Sequence, residues 1–162
     1  MQFNVGDLIV HPAHGVGQIV EIEEKQFSEK GECLYYKVTS AKRTVWIPVE
    51  THEAELRRVT AKNELDQYRK LLKSPPVPLD KNHHRRHLDL VKRLKLGSFK
   101  VLCEIVRDLT AWSRRKPLGP SDTTILKRSR ENLCEEWATA AGVSTAEATK
   151  EVEGLLRVAR PA

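Results

Sequence analysis

The hydrophobic period of the chain changes near residue 60, and no single sheet or helical bundle accommodates both halves. Before that point apolar and aromatic residues come in short runs: Leu8-Ile9-Val10, Val16 to Ile22, Leu34 to Val38 and Thr44 to Val49. In the second run Val16, Gln18, Val20 and Ile22 alternate onto one face, with Gly17 and Ile19 on the other. β-Branched and aromatic side chains suit a pleated, half-buried surface. Turn formers separate the runs at His11-Pro12, Gly15, Ser28-Glu29-Lys30-Gly31 and Ser40-Ala41-Lys42-Arg43. Four or five short strands so spaced predict a small antiparallel barrel over residues 1–58. Pro48 has no amide hydrogen for a ladder, so its strand is expected to lie at an edge or to end there. An open edge in so small a sheet invites a partner strand.

Beyond residue 60 the spacing is helical. Leu65, Tyr68, Leu71 and Leu72 mark a first helix, which Ser74-Pro75-Pro76-Val77-Pro78 must break because proline cannot occupy a helix interior. A second is expected from about Lys81 to Leu96, with Leu88, Val91 and Leu94 facing inward. Gly97 suits its C′ position, and Ser98 suits the N-cap of a third helix carrying Phe99, Leu102, Cys103, Val106 and Leu109. After Pro117-Leu118-Gly119-Pro120, Ser121 is placed to cap a fourth, with Leu126, Ser129, Leu133, Trp137 and Ala140 on one face and Gly142 at its end. Ser144-Thr145-Ala146-Glu147 has the form of a capping box and opens a fifth helix to about Ala159. The fold class is therefore α+β: a small β-module followed by a compact all-helical domain of about five helices over 61–162.

Charge divides the chain at the same place. Residues 1–60 carry 7 Lys+Arg against 9 Asp+Glu, whereas residues 69–130 carry 17 against 5. Such a block attracts a polyanion and makes binding salt-dependent; the plainer reading is a solvated helix surface. Its clusters are Arg85, Arg86 and His87; Lys92, Arg93 and Lys95; Arg114, Arg115 and Lys116; and Lys127, Arg128 and Arg130. They lie on different helices, so they form one face or several. No apolar run is long enough to span a bilayer, so no membrane role is expected, and residues 1–7 lack the basic and apolar regions of a secretory signal. The odd, widely spaced Cys33, Cys103 and Cys134 fit a reducing compartment better than a disulfide framework or a zinc site.

Signs of catalysis are few. Gly15-Val16-Gly17 has only part of a dinucleotide fingerprint and continues as strand, so a glycine bend in a sheet fits better. His83 and His87 stand one helical turn apart, a spacing that metal sites use. Between them Arg85 and Arg86 repel a cation, and histidines at a helix N-terminus suit phosphate instead. No cofactor and no metal are expected. Trp112 and Trp137 occupy core-compatible positions, while Trp46 reads equally as core or as an exposed anchor for a protein partner.

The stretch Val5-Gly6-Asp7-Leu8-Ile9-Val10-His11-Pro12-Ala13-His14-Gly15-Val16-Gly17 resembles the opening of the CarD/CdnL bacterial transcription regulators, an opening shared with the polymerase-interacting module of transcription-repair coupling factors. Ile47-Pro48-Val49-Glu50, Asn82-His83-His84-Arg85-Arg86 and Val106-Arg107-Asp108-Leu109 resemble further stretches of the family, so the likeness covers essentially the whole chain. It implies a Tudor-like β-barrel that binds the RNA polymerase β subunit, and a basic helical domain that contacts promoter DNA at the upstream edge of the melted bubble. The open complex would thereby be stabilised by a non-enzymatic, cytoplasmic monomer, associated with the nucleoid through the polymerase. On that resemblance Lys25, Arg43, Val45, Trp46, Ile47 and Pro48 are expected to meet the polymerase. His83, Arg85, Arg86, His87, Lys92, Arg93, Arg114 and Arg115 are expected to meet DNA in its minor groove or along its backbone, with tolerance of sequence.

The family usually carries tryptophan where this chain has His83, and that ring wedges against the minor groove beside the bubble. Imidazole is smaller and more polar, so it makes a weaker apolar wedge, though it can still stack or hydrogen-bond. Two other functions fit parts of the sequence: a free-standing nucleic-acid binder, and a small metal-dependent enzyme centred on His83 and His87.

Overall fold

The computed structural model describes residues 2–27 and 31–158, and the chain divides into two compact units, Met1–Val59 and Thr60–Ala162. The first is an antiparallel sheet of β1 (Leu8–His11), β2 (Gly15–Lys25), β3 (Cys33–Thr39), β4 (Thr44–Pro48) and the two-residue β5 (Arg57–Arg58). The strand order is β4-β3-β2-β1-β5. The sheet is open rather than the closed barrel expected: β5 is too short to return along the sheet and pairs with β1, which leaves β4 as the other edge. Between β4 and β5 lie the one-turn α1 (Val49–His52) and a 3₁₀ turn, Glu53–Glu55. The expected Ser28-Glu29-Lys30 turn lies outside the described residues.

Phe3, Ile9, Ile19, Tyr36, Val38, Ile47, Val49 and Leu56 form the core of this unit. The face of β2 that carries Gly17 and Ile19 is the one turned inward. Gly15, Gly17 and Ile19 face the core, while Val16 is half-buried and Val20 exposed. A β-bulge between Ile19 and Glu21 then resets the alternation, so Ile22 pairs with Tyr36 and packs against the core. Gly17 is required there: a Cβ would stand 2.4 Å from Val38 Cγ1. The Tyr36 hydroxyl, deep in the sheet, donates to Glu53 Oε2 at 2.5 Å and accepts from Phe3 N at 3.3 Å. One phenol thus joins the N-terminal segment to the turn after β4.

The second unit contains α2 (Leu65–Lys73), α3 (His83–Lys95), α4 (Phe99–Ser113), α5 (Pro120–Ala141) and α6 (Thr145–Val158). Ala159 lies outside the described residues. Ser98 caps α4 by accepting from Val101 N at 3.1 Å. Gly97 and Gly142 take left-handed conformations, both with φ 72, where α3 and α5 end. Ser144 Oγ accepts from Glu147 N as a helix-start signal should. Ser121 does not cap α5: Gly119 is its N-cap and Pro120 its first residue, so Ser121 is already helical. Two apolar clusters fill the unit. One gathers Phe99, Cys103, Val106, Leu133 and Trp137 with α2 and α6; the other is Leu90, Ile105 and Leu109. Leu88 is 55% exposed, and Leu90 takes the inward place expected of it. At the start of the unit Glu136, fully buried, accepts from Thr60 N at 3.0 Å and Thr60 Oγ1 at 2.7 Å.

Candidate protein and nucleic-acid interfaces

The β4 edge is set by the hairpin before it. Ser40 N donates to Arg43 O at 2.9 Å, which makes these two a hydrogen-bonded pair. Alternation along an antiparallel ladder then turns the backbones of Val45 and Ile47 toward Val38 and Tyr36. The amides of Thr44 and Trp46 face away from β3, and so does the nitrogen of Pro48, where a missing hydrogen costs no ladder bond. β4 therefore offers outward backbone groups that end at a proline.

Side chains of β4 divide the same way. Ile47 is buried and Val45 packs against the core, so neither side chain is available to a partner as expected from the sequence. Trp46 lies on the opposite face and is 37% exposed. Its Nε1 donates to Glu23 Oε1 at 2.6 Å, and the ammonium groups of Lys25 and Lys37 each stand 5.9 Å from its ring centroid. Phe27, itself 60% exposed, packs edge-on against Tyr35 and Trp46. This patch couples aromatic surface to cations beside an edge strand of the described sheet. Arg43 is exposed at the hairpin tip. Sequence reading missed Phe27, Tyr35 and Lys37, because only strand pairing brings them beside Trp46.

In the second unit the basic run opens α3. Asn82 is its N-cap and accepts from Arg85 N at 3.0 Å, which makes His83 the first helical residue, exposed to solvent. Arg85 is exposed and pairs with Asp80 at 3.3 Å. Arg86 departs from the expected role, because its guanidinium is enclosed. Nη2 meets Asp122 Oδ2 at 2.8 Å, Nη1 donates to the Asp80 carbonyl at 3.0 Å, and the group stacks 4.9 Å from the Trp112 ring centroid. Only 8% of that side chain is exposed, so it has no free face for a phosphate. Its Nη2 also lies 3.3 Å from His83 Nδ1. Guanidinium can only donate, so this contact is a hydrogen bond in the tautomer whose Nδ1 accepts and whose proton sits on Nε2.

His87 Nδ1 lies 2.7 Å from Ser121 Oγ, tying α3 to α5. Lys92 is exposed, whereas Arg93 is half-buried and pairs with Asp89 at 3.6 Å. Arg114 donates to the Leu156 carbonyl at 3.2 Å, and Arg115 is exposed after α4. The basic block is thus partly internal. Arg107 is buried on Asp108, and Arg130 pairs with Glu153, while Lys127 and Arg128 stay exposed on α5. Among the described residues no group of three or more histidines, cysteines and acids is placed to hold a metal ion. Cys103 and Cys134 are buried and form no disulfide, and burial pushes the Cys134 thiol up from its ordinary range. No helix among the described residues is long and apolar enough to cross a membrane.

Comparison with known proteins covers both units. Residues 3–60 match the CarD-like/TRCF RID domain, and residues 67–153 match the CarD C-terminal domain. Over 144 residues, 88% of this chain and 94% of the relative, the sequence is 28% identical to a Bacillus subtilis (strain 168) protein named "Putative transcription factor YdeB".

Proposed function

The chain belongs to the CarD family of RNA polymerase-interacting transcription factors, and from that premise we propose that its first unit docks on the polymerase β subunit while its second contacts promoter DNA at the upstream bubble edge and prolongs the open complex. The observation that carries this reading is the β4 edge, which has no second strand neighbour among the described residues. A strand of the β subunit added there would take the outward amides of Thr44 and Trp46, and Trp46 with Phe27 would supply the buried aromatic anchor that interfaces concentrate their energy on. Lys25 stands 5.9 Å from the ring of that anchor as a cation for an acidic partner surface, and Arg43 adds a second, exposed at the hairpin tip. The protein works by binding, as a cytoplasmic factor, and performs no chemistry of its own.

On DNA, His83 presents Nε2–H from the first turn of α3, a donor suited to the acceptors that line the minor groove. Arg85, Lys92, Arg114 and Arg115 supply phosphate contacts, with His87 and Arg93 beside them, and phosphate contacts position without reading sequence. Arg86 fixes the ring that probes the groove rather than touching DNA. A free-standing nucleic-acid binder is less well supported, because the acidic balance of residues 1–60 repels a polyanion. The test is open-complex lifetime on a defined promoter. Wild type should lengthen it, His83→Ala should shorten it without changing β-subunit affinity, and His83→Trp should lengthen it beyond wild type, since a larger apolar ring resists reclosure of an unstacked step. Equal lifetimes for all three proteins would remove the wedge role.

A further inference from the structure

A groove of about 340 Å³ lies in the second unit between the proline-rich segment before α3 and the C-terminal turn of α4. Its size is that of a small-molecule site rather than a solvent nick. Three features of its lining belong together. Pro76, Pro78, Ala111 and Trp112 give it flat apolar walls. Lys81, Arg115 and Lys116 supply three cations, and among the described residues none of their side chains has an ion-pair or hydrogen-bond partner. Asp108, 4% exposed, contributes a carboxylate. Its Oδ1 accepts from Val77 N at 3.0 Å and Arg107 Nε at 2.9 Å, which pins the proline segment against α4, while Oδ2 is left without a hydrogen bond among the described residues.

Flat walls accept a planar ring, unpaired cations accept phosphate, and a free carboxylate oxygen accepts from an amine. We infer that this groove binds a nucleotide, with its base between the indole and the prolines, its phosphate on Lys81, Arg115 and Lys116, and an exocyclic base amine facing Asp108. A lipid-like anion would set apolar chain against the Asp108 carboxylate, and an acidic peptide has no use for flat walls. Arg86 already covers one face of Trp112, so the indole is held rigid before any ligand arrives. The reading goes beyond polymerase docking, which uses the other unit and stands whatever the groove binds.

The ligand has two sources, a free nucleoside phosphate or one nucleotide of an unpaired strand, and titration of the full-length protein with CTP, UTP, inorganic phosphate and a single-stranded oligodeoxycytidine separates them. NMR of the indole Nε1–H groups is the readout. CTP should shift Trp112 in a saturable way while Trp46 and Trp137 stay in place. UTP, which lacks the amine, should bind about tenfold more weakly, the worth of one lost hydrogen bond to a charged group. Arg115→Ala/Lys116→Ala changes only exposed side chains and should weaken CTP by more than about tenfold. An oligonucleotide that shifts Trp112 at much lower concentration than CTP identifies the strand as the source; equal or weaker response identifies the free nucleotide. Failure of both CTP and the oligonucleotide to move Trp112, equal affinity for CTP and UTP, a matching shift with phosphate alone, or undiminished binding by the double variant would each overturn the assignment.

Discussion

Arg86 and Asp122 hold opposite charges with 8% and 0% of their side chains exposed, so removing either strands the other in a low-dielectric interior. Arg86→Ala is expected to destabilise the second unit by about 3 kcal/mol, read from the urea midpoint. Because Asp122 Oδ1 already lacks a partner among the described residues, the cost falls on a carboxylate with nothing left to satisfy it. Arg86→Lys should recover part of that stability but not the stack on Trp112, since an ammonium is a point charge without a planar face. The sequence could not separate Arg86 from Arg85. They are adjacent in one basic run, and a turn of about 100° on the helix sends one cation to solvent and the other inward. Their different fates are decided by Asp122, 36 residues away, which no local pattern announces.

At the scale of the element, β4 turns Val45 and Ile47 to the core and Trp46, the proposed anchor, to the opposite face. Trp46→Ala should cost little stability, since the ring lies on the outer face, yet weaken binding to a polymerase β-subunit fragment by about 2 kcal/mol in calorimetry, the usual worth of an aromatic anchor. An unchanged affinity would place docking elsewhere. The segment after β4 is fastened by histidine. His11 Nδ1 accepts from Ala13 N at 3.0 Å, and its Nε2 meets Glu55 Oε2 at 3.2 Å, while His52 holds Oε1 of the same carboxylate at 3.2 Å. Burial lowers the His11 pKa below 6.5 against the opposing pull of Glu55; the hydrogen bond from His52 leads in lowering Glu55 below 4.5. In the window below pH 6.5 the unfolded chain therefore binds a proton at His11 that the folded one refuses. The first unit should be most stable above pH 6.5, weaken as pH falls from there, and lose Glu55's contribution below 4.5. Thermal melts of wild type and His11→Ala between pH 8 and 5 check this: the variant should show a flatter profile. Strand positions and the edge at Pro48 were legible from β-branched runs and from proline's missing hydrogen. The placement of Ile22 on the face of Val16 and Val20 was not, because a bulge after Ile19 adds one residue without any composition signal and turns Ile22 to the core.

Across the whole molecule, charge and architecture divide at the same place. Residues 1–60 have more acids than bases, and the excess of 17 Lys+Arg over 5 Asp+Glu in residues 69–130 sits entirely within the second unit. Part of that excess is consumed internally by Arg86, Arg107 and Arg130, so the field available to DNA is smaller than the count implies. The second unit alone should therefore bind DNA weakly, with little preference for sequence, and lose affinity steeply as salt rises from about 50 to 200 mM. Docking through the β4 edge, as proposed, would change this, because tethering would make the DNA contact effectively intramolecular and raise local concentration toward the millimolar range. An equimolar mixture of the fragments 1–59 and 60–162 should consequently fail to extend open-complex lifetime, even where each fragment still binds its own partner. The intact chain should extend it, and should do so at a salt concentration that abolishes DNA binding by fragment 60–162. If the mixture matched the intact chain, the two contacts would be acting independently and the link between the units would contribute nothing to the effect.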